Sequence, residues 1–453
     1  MKKRWAMVVF AWAAAGVLAG WATPLWAATL EVGPGKAFQR IEDANARAKP
    51  GDVVLVYPLK PGEAYEKVAV FVSQKGVTFR GVAGKAGERV ALSGKGFDYS
   101  GVGRTPRAMF QFNRGTDGCV LENFELAGAH NDSHNGAGVR INQANDVTVR
   151  NCEIHNNDMG VMSNGDGTLN YAANQRFENC IIHHNGDPGE PGQNHNLYLG
   201  GASATLFACE VHSSLTGHNV KSRAHLNVIE CCYIHHSANR EFDLVDGLET
   251  EFPGSDAVLI ANVIVKDPAC DGNKTVIHFG QDGGKPHNGI ITLVNNTVVT
   301  PFRMPVVDLS SAKAGARFYN NLIDDGGKNQ KGQVLVQASR GGSLANASGS
   351  HNWFSEGFMN FPPGFSPKDN VVAVGARPMF LNQAKGDLRL IRREPLIVDA
   401  GLAWDKIDLA DPTAKPGEKK PFMVPWQYKH PASSEPRVDK GPPDIGAYAY
   451  DGK

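Results

Sequence analysis

The stretch Thr216-Gly217-His218-Asn219-Val220-Lys221-Ser222-Arg223-Ala224 gathers the densest set of proton-transferring and charge-holding side chains in the chain. Alternation with period two sends Asn219, Lys221 and Arg223 to one side and Val220 and Ser222 to the other, with His218 at the start of the strand. A second stretch, Asn194-His195-Asn196-Leu197-Tyr198, sets a histidine three residues ahead of a tyrosine. Together these residues could carry out an elimination beside a carboxylate. That chemistry needs a cation to neutralise the carboxylate, a base for the neighbouring C–H proton and an acid for the departing oxygen. Arg223 or Arg140 could grip the carboxylate in a bidentate pair. Lys221 or Tyr198 could act as the base, and His218 or His195 could take the complementary role.

These residues lie far apart along the chain, so they act together only if a repeat stacks them. Four segments share one pattern: Asn151-Cys152-Glu153-Ile154-His155, Asn179-Cys180-Ile181-Ile182-His183, Ala208-Cys209-Glu210-Val211-His212 and Cys231-Cys232-Tyr233-Ile234-His235. They recur at about 28 residues, and Asn123, Asn262, Asn296 and Asn321 extend the register in both directions. A short strand cannot bury its apolar face alone, but parallel strands stacked at about 4.8 Å can, with the Cys and Asn positions forming an interior ladder. Buried free thiols are the simplest reading of the seven cysteines, and spacing alone leaves disulfides between coils open.

Each coil should then contribute a second strand, marked by inward Val139 and Ile141, Val161, Leu197 and Leu199, Val220, Phe242 and Leu244, and Ile277 and Phe279. The outward row reads Arg140, Met162, Tyr198, Lys221, Asp243, His278 and Asp308, with Asn142, Asn164, Gly200 and Arg223 beside it. Tyr198, Lys221 and Asp243 become neighbours about 4.8 Å apart per coil. A sugar residue spans about one coil, so the row suits a glycan lying along the stack. The expected catalytic set is Lys221, Tyr198, Arg223 and His218. Arg140, His195, Asn196, Asn219, Asp243 and His278 are the expected substrate contacts, and loops Asp187–Asn194 and Gly247–Gly254 the walls of a groove. Arg223 and Asp243 would push Lys221 in opposite directions as a base, which turns the assignment toward Tyr198. The competing reading makes Lys221, Asp243 and Arg223 an ion-pair network that stiffens an exposed sheet. Glu241, Asp243 and Asp246, in an acidic stretch with Glu249 and Glu251, could supply oxygen ligands to calcium, though without EF-hand spacing. The sequence requires no cofactor. The outward histidines His155, His183, His212 and His235 are explained by turn chemistry at strand ends rather than by metal.

The start of the chain reads as an export signal over residues 1–27, with Lys2, Lys3 and Arg4 before an apolar run and Leu25-Trp26-Ala27 as cleavage site. The mature chain is expected to be secreted or periplasmic and monomeric, with no membrane span. Basic and acidic residues balance at 46 each, which excludes a basic nucleic-acid-binding domain, and any anionic ligand must be held by a local cluster. With 51 Gly and 26 Pro the chain is turn-rich. Helical spacing over Ala37–Ala48 predicts a short cap before the strand Val53–Tyr57. Repeats fade near residue 364. The expected organisation is therefore a β-helix over residues 28–363 and a loop-rich segment over 364–453 that packs on it or caps it.

Phe38-Gln39-Arg40-Ile41 followed by Pro50-Gly51-Asp52, the Asn-Cys-x-Ile-His coils, and Asp444-Ile445-Gly446-Ala447-Tyr448 resemble the right-handed parallel β-helix proteins of the pectate-lyase-like superfamily. The resemblance implies an all-β, single-stranded solenoid that is active on carbohydrate. That superfamily includes lyases, hydrolases, epimerases and stalks, so the fold alone does not select among them. Alginate and chondroitin lyases of this type carry a Lys-Ser pair like Lys221-Ser222. The arginine expected in the following coil is replaced by Asp243, with Arg240 off the row. Gly217-His218 is similar to polygalacturonase-like hydrolases, whose paired-aspartate motifs are missing here. The expected function is a lyase of an acidic, uronate-containing polysaccharide. A β-helix glycoside hydrolase and a noncatalytic glycan-binding or cell-surface β-helix are the alternatives.

Overall fold

The computed structural model describes residues 27–190, 192–329, 331–373, 377–412, 414, 418 and 420–452. Apart from Ala27, the export signal lies outside the described residues. The chain winds into a right-handed parallel β-helix with three long parallel sheets of 13, 10 and 12 strands. One coil shows the rule. Thr148–Arg150 lies in the 13-stranded sheet, Glu153–His155 in the 12-stranded sheet and Met159–Asn164 in the 10-stranded sheet, and the next coil repeats the order. Backbone donors and acceptors of each strand are taken up by the coils on either side, so every coil is held in register by its neighbours.

The interior is one continuous apolar core running from Val32 to Phe365. Val139, Ile141, Val161, Leu197, Leu199, Val220, Phe242, Leu244, Ile277 and Phe279 all point into it, as alternation predicts. Full burial of such a side chain contributes about 1.5–3 kcal/mol. All seven cysteines are free and buried. Cys152, Cys180, Cys209 and Cys232 occupy the first position after the turn between the 13- and 12-stranded sheets, and Asn262 continues the column, accepting the Cys232 N–H at 2.9 Å. From there Asn262, Asn296, Asn321, Asn352 and Asn370 bond amide to amide at 2.9–3.0 Å. Asn123 does not belong to this column. It sits one residue earlier, with Asn151 and Asn179, in the left-handed conformation that turns the corner.

The cap is shorter than the spacing predicts. Helix α1 spans Ile41–Arg47, burying Ile41, Ala44 and Asn45. Phe38 instead bridges Val32 in parallel and donates its N–H to the Glu31 carbonyl at 3.1 Å, so the chain completes a turn of the stack before the helix begins.

Strand pairing continues to Gly364–Phe365 and Val371–Ala373. The chain beyond packs on two of the three outer faces. Phe380, Leu388, Ile397, Tyr428, Ile445 and Ala447 cover Tyr233, Val263, Val299, Leu322 and Trp353 of the 12-stranded sheet. Ile407, Phe422 and Val424 cover Val258, Ile260 and Val294 of the 13-stranded sheet. The motif around Gly446 docks here: φ is +100°, and a β-carbon would come within 2.9 Å of the Thr297 hydroxyl, so only glycine lets the backbone approach this closely.

The 10-stranded sheet positions the site. Its strands are labelled β1 (Ala137–Asn142), β2 (Met159–Asn164), β3 (Leu197–Leu199), β4 (Val220–Ser222), β5 (Phe242–Val245), β6 (Ile277–Gly280) and β7 (Val307–Leu309). Asn296 is the clearest test of what holds the stack. Asn296→Ala would leave Asn262 without its acceptor and the Leu259 carbonyl without its donor inside the core. The expected loss is about 1–3 kcal/mol in urea-denaturation free energy, with the spectrum of the folded state unchanged.

Candidate active site

The outward row read from the sequence is the row the strands form. Arg140 of β1 pairs with Met162 of β2, Met162 with Tyr198 of β3, Tyr198 with Lys221 of β4, Lys221 with Asp243 of β5, Asp243 with His278 of β6, and His278 with Asp308 of β7. Arg223 follows β4 directly and reaches back across one strand, donating Nε–H to the Tyr198 hydroxyl oxygen at 3.0 Å.

Asp243 is the hub. Its carboxylate is 1% exposed and accepts from Lys221 Nζ at 2.8 Å, Arg240 Nη1 at 3.0 Å and His278 Nδ1 at 2.9 Å, with His218 Nε2 at 3.5 Å. Burial alone would raise this carboxyl, but His218, His278, Lys221 and Arg240 hold it well below the usual carboxylate range. Lys221 bridges to a second carboxylate, Asp282 Oδ2, at 3.2 Å, which also takes Arg223 Nη2 at 3.0 Å. Burial and Asp243 push Asp282 up, and Lys221 and Arg223 bring it net below its ordinary value.

Several expected roles need correction. His195 and His218 are buried and stacked with ring centroids 5.1 Å apart. His195 Nδ1 accepts the His218 backbone N–H at 3.0 Å, and His218 Nδ1 accepts that of Arg240 at 3.2 Å. These rings brace the start of β3, β4 and β5 from beneath. Burial, reinforced by His218 and Lys221, holds His195 well below the imidazole range, and burial brings His218 down to about 4, so both are neutral near pH 7. Asn196 and Asn219 do not face solvent. They form a second interior ladder, in which Asn185 donates to Asn196 at 3.0 Å, Asn196 to Asn219 at 2.8 Å and Asn219 to Glu241 at 2.6 Å. The chain is still bending at these positions, so strand alternation does not apply to them.

His278 is also buried, and lies between Asp243 and Ser310 Oγ at 2.6 Å. The Ser310–His278–Asp243 alignment has the connectivity of a hydrolytic triad. Ser310 has no exposed surface and its oxygen accepts the Gln281 N–H at 2.7 Å, so it orients His278 and is not a nucleophile. Asp243 is likewise too enclosed to touch a ligand.

Glu241, Asp243 and Asp246 do not converge on a common point for calcium. Glu241 is sealed in the ladder beside Lys266 at 3.6 Å. Asp246 takes the backbone N–H groups of Asp282, Gly283 and Lys285, fixing the loop after β6. Arg140 stands three strands from Lys221, about 14 Å along the stack, so it cannot share a carboxylate with Arg223.

The residues with reach to solvent are Tyr198, Arg223, Arg240 and Asp282, with Lys221 largely buried among them and Arg140 further along. Asp282 and the contribution of Arg240 were missed. Their signal was the turn run Gly280-Gln281-Asp282-Gly283-Gly284 directly after a row strand, and an arginine three residues before a row aspartate. Of the loops expected as walls, Gly247–Gly254 borders Arg223, where a β-carbon on Gly247 would come within 3.1 Å of the Arg223 Cβ. In Asp187–Asn194, Asp187 pairs with His134 at 2.5 Å.

The buried histidine sets a pH dependence. With a folded pKa near 4 against about 6.5 unfolded, His218 binds a proton more readily in the unfolded chain. Its contribution to stability is therefore complete above about pH 6.5 and is lost as the pH falls toward 4. The slope is about 1.4 kcal/mol per pH unit where the difference is one full proton. Urea midpoints between pH 7 and pH 4.5 should fall in this window, and His218→Gln should reduce the slope, the remainder being carried by His195, His212 and His287, which are held below the imidazole range as well.

Residues 110–192 match the family described as "Right handed beta helix region". No curated protein matches the chain in sequence. Among solved structures, pectate lyase Pel9A is 15% identical, covering 94% of this chain and 96% of its own, with a TM-score of 0.48. A rhamnogalacturonan lyase is 12% identical over 82% and 97%, with a TM-score of 0.43. A pectin methylesterase from Aspergillus niger is 10% identical over 80% and 93%, with a TM-score of 0.29. These are likenesses of winding, shared by proteins named for different reactions. In fold, the chain is a right-handed parallel β-helix.

Proposed function

We propose that the chain is an exported carbohydrate-active enzyme that cleaves an acidic, uronate-containing glycan by β-elimination on the open face of the 10-stranded sheet. One observation carries the reading: the half-buried Tyr198 and Arg223 meet the largely buried Lys221 on one strip, with Arg223 on the phenol and two ionised carboxylates on the ammonium.

Arg223 retains free N–H groups beside those given to Tyr198, Asp246 and Asp282, and these would neutralise the sugar carboxylate. The Tyr198 oxygen already accepts from Arg223, and as the phenolate it would take the proton from the carbon next to that carboxylate, becoming a neutral phenol. The C–H electrons form the C=C bond, the glycosidic C–O bond breaks, and the Lys221 ammonium protonates the departing oxygen. Return of the proton from Tyr198 to Lys221 resets the site. Arg140, about three coils away, would meet a carboxylate of a sugar residue about three units along the chain.

The charge states favour elimination over hydrolysis. A glycoside hydrolase needs one carboxyl that carries a proton to the leaving oxygen. Asp243 and Asp282 are both held below the ordinary carboxylate range, and Glu241, raised to about 7 by burial, is sealed in the interior. The available acid is therefore Lys221, a group suited to a lyase.

The test is a screen of the purified mature chain on alginate, pectate, hyaluronan, chondroitin and bacterial exopolysaccharides. A lyase produces ultraviolet absorbance from unsaturated uronate ends. Tyr198→Phe and Lys221→Ala should each lower that rate by about 10²–10⁴-fold with the folded spectrum intact. Reducing ends without absorbance would show a hydrolase, and binding without either product a noncatalytic glycan-binding protein.

A further inference from the structure

The outward histidines of the 12-stranded sheet form a single column. His155, His183, His212 and His235 stack with ring centroids 5.0, 4.9 and 4.7 Å apart and interplanar angles of 2–8°. At its upper end the column meets Glu210, and there the ligand atoms of Glu210, His212 and His235 all lie within 4.8 Å of one another.

We infer that Glu210, His212 and His235 form a binding site for a divalent transition metal, with zinc the best match to two imidazoles and one carboxylate, and with His430 placed to join them. Zinc favours nitrogen and carboxylate donors at about 2.0–2.2 Å, so closing the cluster around an ion requires the three groups to draw in by about an ångström. Turn chemistry explains why histidines stand at strand ends, but not this convergence.

Three further features fit a metal site. The Nδ1 atoms are engaged, His212 with Ser213 Oγ at 3.0 Å and His235 with His236 Nδ1 at 2.7 Å, which leaves the Nε2 atoms for the ion; His235 Nε2 lies 3.4 Å from Glu210 Oε1. Such outer partners fix ring orientation at metal sites. Tyr428 donates its hydroxyl to Glu210 Oε2 at 3.0 Å, and His430 Nδ1 lies 3.4 Å from the same oxygen, so the hairpin Trp426–Lys429 and Ser433–Pro436 closes over the cluster. Tyr428 and His430 also line, with Tyr233, a cavity of about 380 Å³ beside the hairpin. His155 and His183 stand on the same column beside Glu125 and Glu153 at 3.1 and 3.2 Å, in pairs rather than a threefold cluster.

The experiment uses the full mature chain, stripped with a chelator and titrated with zinc chloride in a non-coordinating buffer. One equivalent should bind and raise the melting temperature. His235→Ala and Glu210→Gln should weaken binding by at least about tenfold. Lys221→Ala, on the 10-stranded sheet, should bind zinc as the parent does. Should the buried variants fail to fold, His430→Ala at the exposed position and anomalous scattering from zinc-soaked crystals provide the reading, with a peak expected between Glu210, His212 and His235. Absence of stoichiometric binding, affinity unchanged in His235→Ala, or an anomalous peak elsewhere would each overturn the inference.

Discussion

Everything in this molecule depends on parallel strands landing in register, coil upon coil, with the interior asparagine ladders bonded from one coil to the next. Coil lengths vary widely: Lys221 and Asp243 are 22 residues apart, Asp243 and His278 35, yet each pair shares one ladder step. Loops absorb the difference because they leave the stack and return to it, while the interior asparagines fix where each return must end. An asparagine one coil out of place would bury an amide with no partner, which costs more than most single packing errors. The polar columns therefore specify alignment, whereas the apolar core supplies most of the driving force.

The same logic governs the strip. A carboxylate as enclosed as Asp243 is tolerable only because Lys221, Arg240 and His278 bond to it and His218 stands close. That requirement organises the surface around it. Lys221 is pulled toward β5, Asp282 follows from the other side, and Arg223 is drawn over Tyr198 by Asp282 and the Asp246 carbonyl. An ion-pair network and a reaction site are thus not rival descriptions. The network holds a tyrosine, an ammonium and a guanidinium in fixed relation before any ligand arrives, which is what a preorganised site requires.

Alternation made the row legible from Arg140 to Asp308, because period two inside a strand and constant register between coils are both local rules. It failed where the chain was not yet a strand. Asn196 and Asn219 directly precede β3 and β4, where the backbone still bends around the corner, and their side chains turn inward. His195 and His278 were placed at the right positions, but their burial depends on neighbours contributed by other coils, Tyr198 and His218 for the first and Ser310 for the second. No periodicity in one segment carries that information. Asp282 escaped for a related reason: it sits in a loop whose path is set by Asp246, 36 residues earlier. The fold was legible nearly throughout because it repeats, and the site only in part because a site is where the repeat is broken.

The C-terminal segment separates two kinds of surface. It covers the outer faces of the 12- and 13-stranded sheets with apolar clusters around Tyr428 and Phe422, while the residues of the 10-stranded strip pair among themselves and with the loop after β6. A polymer must be met by side chains that reach solvent, and on the 10-stranded sheet these are Tyr198, Arg223, Arg240 and Asp282 around the buried Lys221 and Asp243. A small ion needs the reverse, a cluster shielded from water by a lid, and the histidine column has that where the hairpin closes on Glu210. The corner asparagines Asn196 and Asn219 lie between the two, bonding the His212 and His235 carbonyls, so an ion held under the hairpin would fasten the C-terminal segment to the coils on a face other than that of Tyr198 and Lys221. Stability and reactivity would then rest on two different sheets of one solenoid, joined by a ladder that keeps both in register.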